Sequence, residues 1–469
     1  MDTSKLKPAN QNPWYILMTL YGEQEGDEID WELAEKNRKL WNAWVCQGMD
    51  EAERHAIADK IRIDRSETDW TSEKRRDVNA RFAAEWQRRN GDKSPPDMPK
   101  AEEVIDLSEI AFSNTVVLEK AIFGAANFSR ATFTQDAYFP HATFTQDAYF
   151  FGAIFTQDAS FSGATFTQGA SFSVATFDAS AIFQNADFAG LVDFRGWRDP
   201  QDDASEPAHF GTETIFSGAH FHKRADFFRR RFGPYDRPTE TLTFANAIFD
   251  APVSFEEAEF PHLMPVLTNT TLPESTKLTA NRQNWPTLKP GLLARLDARL
   301  GLRKRVAYSE QSPEIVKASA ASLRHAMARQ MLPEEEHFFF RREMWGAARS
   351  GPILARPIIW LYGAVSNYGH SISRPAALLT VLWLAGLIIF AGQATQDDTG
   401  APVTLGTWQA AFFSFANMFK FFGLLGTYFE DVAGGFPDTI QVAAGTQTVL
   451  AFILLFFLGL GLRTRFRLR

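Results

Sequence analysis

Between residues 121 and 194, large apolar residues recur at a period that fits neither a helix nor a strand. Phe123, Phe128, Phe133, Phe139, Phe144, Phe150, Phe155, Phe161, Phe166, Phe172, Phe177, Phe183, Phe188 and Phe194 follow one another in steps of five and six residues. After the first two steps the spacing alternates, so the working unit is an eleven-residue pair. A helical face would repeat every 3.6 residues and a strand face every 2. Two residues before nearly every Phe stands Ala, as in Ala121, Ala126, Ala131, Ala137, Ala142, Ala148, Ala153 and Ala159. Residues i and i-2 of an extended segment share a face. The Ala-x-Phe pattern therefore turns one small and one large residue inward on each short side. Thr, Gln, Asp, Ser and Gly fill the outward and corner positions, which suits turns and solvent.

Leu107, Phe112 and Val117 carry the register backwards. Phe210, Phe216, Phe221 and Phe227 resume it after an insert rich in Asp and Pro. Phe244, Phe249, Phe255 and Phe260 follow a second insert containing Arg229, Arg230, Arg231 and Arg237, which brings the total to 25 centres. No single short side can bury its own apolar face, so the units must stack.

The stretch ATFTQDAYFPHATFTQDAYFFGAIFTQDASFSGATF resembles the pentapeptide-repeat family, in the variant built on Phe with a sixth residue in every second unit. The resemblance implies a right-handed quadrilateral β-helix, a solenoid over residues 105–262 with four sides and about 22 residues per coil. Small Ala then follows from the narrow interior on which the sides converge. The 25 centres make about six coils, roughly 30 Å long at about 4.8 Å per coil. Each buried Phe contributes roughly 2 kcal/mol before chain entropy is subtracted.

The flanks read as helical, making the chain a multi-domain protein. Residues 1–100 form a charged module in which Trp31, Leu33, Leu40, Trp41, Trp44 and Val45 make a helical stripe. Further helices are expected near 51–63 and 70–90, before a linker at Gly91, Pro95, Pro96 and Pro99. Residues 288–350 return to helix, with Leu292, Leu293, Leu296 and Leu300 at helical spacing and further helices from Pro313 and Pro333. This region is expected to cap the open end of the solenoid.

Two uncharged apolar segments, 376–394 and 442–462, are long enough to cross a bilayer core of about 30 Å. Residues 356–372, with Trp360, Tyr362 and Tyr368, suit the headgroup zone. Residues 404–426 are expected to form an interfacial or re-entrant helix, with Ser414, Asn417 and Lys420 three apart on one face. Arg374 precedes the first span, and Arg463, Arg465, Arg467 and Arg469 in the tail 463–469 follow the second. The positive-inside rule then places the N-terminus, the β-helix and the C-terminus in the cytoplasm of a bacterial inner membrane.

Composition narrows the function. The 469 residues include 43 Phe, 9 Tyr and one cysteine, Cys46, so no intrachain disulfide can form. Met1 to Asn12 is polar and has no signal-peptide core. The formal net charge of -8 argues against nucleic acid as a partner. The nine Asp or Glu against Lys120 and Arg130 between Asp106 and Asp193 read as a solvated acidic face, with the DNA mimicry that the family resemblance implies as the alternative. His220 and His222 share one strand face, but neither cysteines nor a carboxylate cluster stand near them in sequence, so no metal or cofactor is expected. Glu334, Glu335, Glu336 and His337 lack the second His of a metalloprotease helix and read as a charged helix start. No catalytic set stands out, and an enzyme is not expected.

The expected function is that of a non-enzymatic, membrane-anchored scaffold that presents the repeat rod to a protein partner. The arginines 229–231 are candidates for contact with that partner or with anionic lipid. The alternative is a homo-oligomeric ion channel with Ser414, Asn417 and Lys420 in its pore region. Its nearest filter-like stretch, Gly423 to Tyr428, has the wrong order for a potassium filter.

Overall fold

The computed structural model describes residues 6–26, 28–91, 93–197, 208–288, 309–396, 402–433 and 435–466. The helix expected at Leu292, Leu293, Leu296 and Leu300 lies outside the described residues, as do Arg467 and Arg469. The chain divides into two compact units, Met1–Glu343 and Met344–Arg469.

In the first unit the repeat builds a parallel β-helix. Each side contributes strands of two or three residues that pair with the side one coil later. Ala126 pairs with Ala148, Ala148 with Ala170 and Ala170 with Val192, which fixes the regular coil at 22 residues. The sides form parallel sheets of five, eight, six and six strands, and a further two-stranded sheet carries Phe210 and Phe232. Phe210 stacks on Phe177, the last ring of the five-stranded sheet, at 5.4 Å.

The interior is a set of ring columns. Phe128, Phe150, Phe172 and Phe194 stack nearly parallel, with centroid steps of 4.8, 4.8 and 5.0 Å. Rings on opposite sides meet edge to face, as Phe150 and Phe161 do at 5.4 Å. Both arrangements are favoured pairings of aromatic quadrupoles. The Thr that follows many of the Phe residues ties the coils together. Thr134, Thr145, Thr156 and Thr167 donate their hydroxyls to the carbonyls of Phe112, Phe123, Phe133 and Phe144 at 2.9–3.0 Å.

The alternation of five- and six-residue units follows from two kinds of corner. Arg130, His141, Gly152, Gly163, Val174 and Asn185 all have positive φ, between 54° and 66°, and end the five-residue units at two opposite corners, whereas the six-residue units turn through three residues, as Thr134, Gln135 and Asp136. Gly adopts this conformation freely, whereas a side chain there costs roughly 1–2 kcal/mol.

The second interruption differs from the sequence reading. The repeat runs on through Arg229, Arg230 and Arg231, and the break falls between the strands Arg231–Phe232 and Thr241–Thr243. Phe232 is a further ladder ring, between Phe210 at 5.2 Å and Phe260 at 4.8 Å. Arg230 occupies the small-residue position two places before it.

Both ends of the β-helix are closed. Four helices, α1 (Pro13–Met18), α2 (Trp31–Val45), α3 (Glu51–Ile61) and α4 (Ser72–Asn90), form the N-terminal module. Asp30, Asp50 and Thr71 cap α2, α3 and α4 by accepting backbone N–H groups. Lys7–Pro8 adds a parallel strand beside Ile110 and Ala111. Trp41 on α2 donates to the Ile122 carbonyl at 2.9 Å. The Asn42 amide donates to the Lys120 carbonyl and accepts from the Ile122 N–H, as a neighbouring coil would. An exposed coil edge invites pairing with other chains, and these contacts occupy part of it. At the other end Trp285 covers Phe260 at 4.5 Å and is met edge-on by Phe339. Phe339 stands on α6 (Pro333–Ser350), and α5 (Pro313–Arg329) sends Arg329 to the Leu272 carbonyl at 3.0 Å. The glutamates 334–336 fill the first turn of α6.

The second unit holds α7 (Ala355–Ser366), α8 (Ser373–Phe390), α9 (Thr407–Met418), α10 (Leu424–Ala433) and α11 (Asp438–Phe466). α8 and α11, with 18 and 29 residues, are long and apolar enough to cross a membrane. The stretch 404–426 is not one helix: α9 ends at Met418, a 3₁₀ turn follows at Lys420–Phe422, and Gly423 reverses the chain at φ 73°. Twelve residues of α9 span only about 18 Å, short of the roughly 30 Å core.

Candidate functional site

Three places in the fold gather chemistry. One is on the outer wall of the β-helix, one at a left-handed corner marked by Arg229, and one inside the helical second unit.

On the outer wall, His220 and His222 share the outward face, with ring centroids 3.6 Å apart. The sequence reading found no carboxylates beside them. The structure supplies two from the neighbouring coils, which corrects that reading. Asp187 precedes Phe188 one coil earlier, in register with His220. Asp250 follows Phe249 one coil later. His222 Nε2 lies 2.8 Å from Asp187 Oδ1, and His220 Nε2 lies 2.7 Å from Asp250 Oδ2. His222 Nδ1 also faces Asp250 Oδ2 at 3.4 Å. Lys60 on α3 reaches the other oxygen of Asp187 at 3.1 Å. Burial alone would raise the Asp187 carboxyl, but hydrogen bonds and charge from Lys60 and His222 outweigh it and hold it below the usual range.

At the corner, the predicted contact residues Arg229, Arg230 and Arg231 have different fates. Arg229 is exposed and paired with Glu257 at 2.7 Å. Arg231 is half-buried and paired with Glu259 at 2.6 Å. Arg230 is fully buried inside the β-helix, so it cannot touch a partner or a lipid. It lies 4.1 Å over the Phe210 ring and donates to the His209 carbonyl at 3.2 Å. Among the described residues, its Nε and Nη1 have no hydrogen-bond partner. Burial pushes its guanidinium down to about 9, which still leaves it charged at neutral pH. Beside this corner a groove of about 520 Å³ runs between Arg130, Phe151, Val174, Trp197, Phe228 and Arg229. Phe151 and Trp197 are among the exposed large apolar residues of the coil surface.

In the second unit, the predicted pore residues separate. Ser414 and Asn417 are buried between α8, α9 and α11, while Lys420 lies beyond the end of α9 and is exposed. The Gln447 amide on α11 donates to Ser414 Oγ at 2.7 Å and accepts from Asn417 Nδ2 at 2.9 Å. Ser414 donates to the Trp383 carbonyl on α8, and Thr448 donates to the Asn417 carbonyl. Gly386 makes room for this cluster, since a Cβ there would collide with Gln447 and Ser414. Ser414 and Asn417 thus join three helices of one chain. Of the predicted orientation residues, Arg374 donates to the Gly363 carbonyl at the end of α7, while Arg463 and Arg465 are exposed in the last turn of α11.

The core ladder from Phe123 to Phe194 lies wholly in the interior, each ring at most 1% exposed. Sequence reasoning missed Phe232, Asp187 and Asp250. The spacing Arg230-x-Phe232 was a usable signal for the first; the other two are separated from the histidines by inserts that hide the register.

Residues 102–143 and 150–198 match the family model for pentapeptide repeats, described as nine copies. No curated protein and no solved structure matches the chain.

Proposed function

We propose that this pentapeptide-repeat protein is a membrane-anchored, non-enzymatic scaffold whose β-helix presents a rigid surface to a protein partner at the cytoplasmic face of a bacterial inner membrane. One observation carries the anchoring. The second unit buries Ser414, Asn417 and Gln447 beside an apolar cluster around Phe390 and Phe413, and it also turns many apolar side chains of the long helices outward. Val381 and Ile388 on α8 are 61% and 77% exposed, and Phe452 and Phe456 on α11 are 70% and 64% exposed. In water such a surface would be an aggregation hazard. In lipid it is the expected arrangement, because the outward apolar side chains meet acyl chains while packing and interhelical hydrogen bonds hold the helices together. Charge supports the orientation: Arg374 opens α8, and Arg463 and Arg465 close α11, whose Gly461 lies beside Ser371 just before α8.

The β-helix supports the scaffold reading through its ring columns, which hold outward side chains in fixed rows. The groove between Phe151 and Trp197 is an apolar feature of that surface that can receive a partner side chain.

Two experiments test this reading. Single cysteines placed at Asp398 and at Thr464, in a Cys46→Ser background, are probed with an impermeant maleimide on intact spheroplasts. Labelling at 398 alone is expected; labelling at 464 alone, or release of the protein by carbonate washing, overturns the topology or the anchoring. A photo-crosslinking amino acid at position 151 of the full chain should give a discrete protein adduct in cells, lost on Trp197→Asp. No adduct at 151 under any growth condition overturns the partner reading.

A further inference from the structure

We infer that Asp187, His220 and His222 form a divalent transition-metal site on the wall of the β-helix. It is a function that the scaffold reading does not require. One ligand atom from each of the three lies within 4.8 Å of the others. A four-coordinate metal with bonds of about 2.0–2.2 Å holds neighbouring ligand atoms about 3.3 Å apart, and small rotamer changes bring this trio to that geometry. Two imidazoles and one carboxylate are the donor set that zinc, iron, cobalt and nickel accept, and three protein ligands leave a position open for water or a further ligand.

The supporting shell is present as well. If His222 Nε2 ligates, its Nδ1 faces Asp250 at 3.4 Å, the carboxylate–histidine relation that orients metal-bound imidazoles. Lys60 holds the second oxygen of Asp187 at 3.1 Å, leaving Oδ1 turned to the histidines.

The repeat itself departs from its pattern here. The outward column that contains the site reads Thr143, Thr165, Asp187, His220 up the coils. The next column begins with Thr145 and Thr167, which donate to carbonyls of the preceding coil. His222 and Asp250 stand at the same place after Phe221 and Phe249, where their side chains bond to carboxylate and imidazole of the adjoining coils instead of to a backbone carbonyl. Here the coils are joined through imidazoles and carboxylates, which are also metal ligands, in place of hydroxyl-to-carbonyl bonds.

The test uses the full chain in detergent, with any purification tag removed. Zn²⁺ alone is titrated in competition with a chromophoric chelator, and Co²⁺ alone is followed by its visible absorption. One equivalent is expected to bind. His220→Ala and His222→Ala should each weaken it at least tenfold, and the double variant should abolish both the equivalent and the cobalt band. Asp250→Asn should retain one equivalent with affinity lowered roughly 10–100-fold. Far-UV circular dichroism shows whether each variant keeps its β-helix; should the alanine variants unfold, His220→Gln and His222→Gln take their place. Failure of the parent protein to compete with the chelator, or an equivalent that persists in the folded double variant, overturns the site. Neither outcome bears on membrane anchoring or partner binding.

Discussion

Truncating a ring in the middle of the ladder should cost far more than truncating one at its end. Phe161 is fully buried and stacks in parallel on both sides, on Phe139 at 4.9 Å and Phe183 at 5.1 Å. It also meets Phe150 and Phe172 edge to face, at 5.4 and 5.3 Å. Phe249 is 8% exposed, and its parallel stacking is with Phe221 at 4.8 Å. A buried Phe→Ala substitution costs roughly 3–5 kcal/mol, and each aromatic pair adds about 0.5–1.5 kcal/mol beyond burial. Phe161→Ala loses two flat stacks and three edge contacts, the third with Phe155 at 6.0 Å, and leaves a cavity walled on every side, so about 5 kcal/mol is expected. Phe249→Ala loses one flat stack, and its cavity can admit water or collapse, so about 2–3 kcal/mol is expected. The assay is urea unfolding of the full chain in detergent, followed by far-UV circular dichroism and by alkylation of Cys46. That thiol is buried in the N-terminal module, and burial pushes it up to about 12, so it reacts only when the first unit opens. Equal costs at the two positions would refute nearest-neighbour stacking as the source of stability. A cost below about 2 kcal/mol at Phe161 would refute the claim that ring burial holds the coil.

Three further substitutions have definite expectations. Arg230→Met keeps the volume against Phe210 and removes a buried charge whose donors are incompletely satisfied among the described residues; it should stabilise the β-helix by roughly 1–3 kcal/mol in the same urea assay. Val174 is a β-branched residue held at φ 60°; Val174→Asn should raise stability by roughly 0.5–1.5 kcal/mol, and a loss would mean that its contacts in the groove outweigh the backbone strain. Gln447→Leu leaves Asn417 and Ser414 short of a partner in the second unit; it should cost about 1–2 kcal/mol in detergent unfolding of that unit and leave Cys46 protection unchanged.

What could be read from the sequence was whatever depends on periodicity. Ala and Phe recur because an interior that admits one small and one large residue per side imposes them, and that imprint gives sides, faces and coil length. The long apolar helices were legible for a similar reason, since lipid demands unbroken hydrophobicity. Arg230 was illegible because a long cation at a small-residue position imitates an insert. Only the ring beyond it, Phe232 stacked between Phe210 and Phe260, shows that the coil continues. The caps were legible as helices, but their targets were not: nothing in the stripe around Trp41 says that its indole meets the carbonyl of Ile122.

The His–Asp cluster was hidden by arithmetic. A regular coil brings together residues 22 apart, as Ala126 and Ala148 show. Asp187 and His220 are 33 apart, and His220 pairs with Ile248, 28 further on. Each offset includes an insert that leaves the coil and returns to the same side, so the register survives while the sequence distance does not. The wall is therefore best read as columns of neighbours, with the inserts removed before counting. Read in that way, an outward column of threonines that changes to Asp and His within two coils is a local change of chemistry on a regular wall. Its meaning is decided by whether the parent protein takes up one equivalent of Zn²⁺.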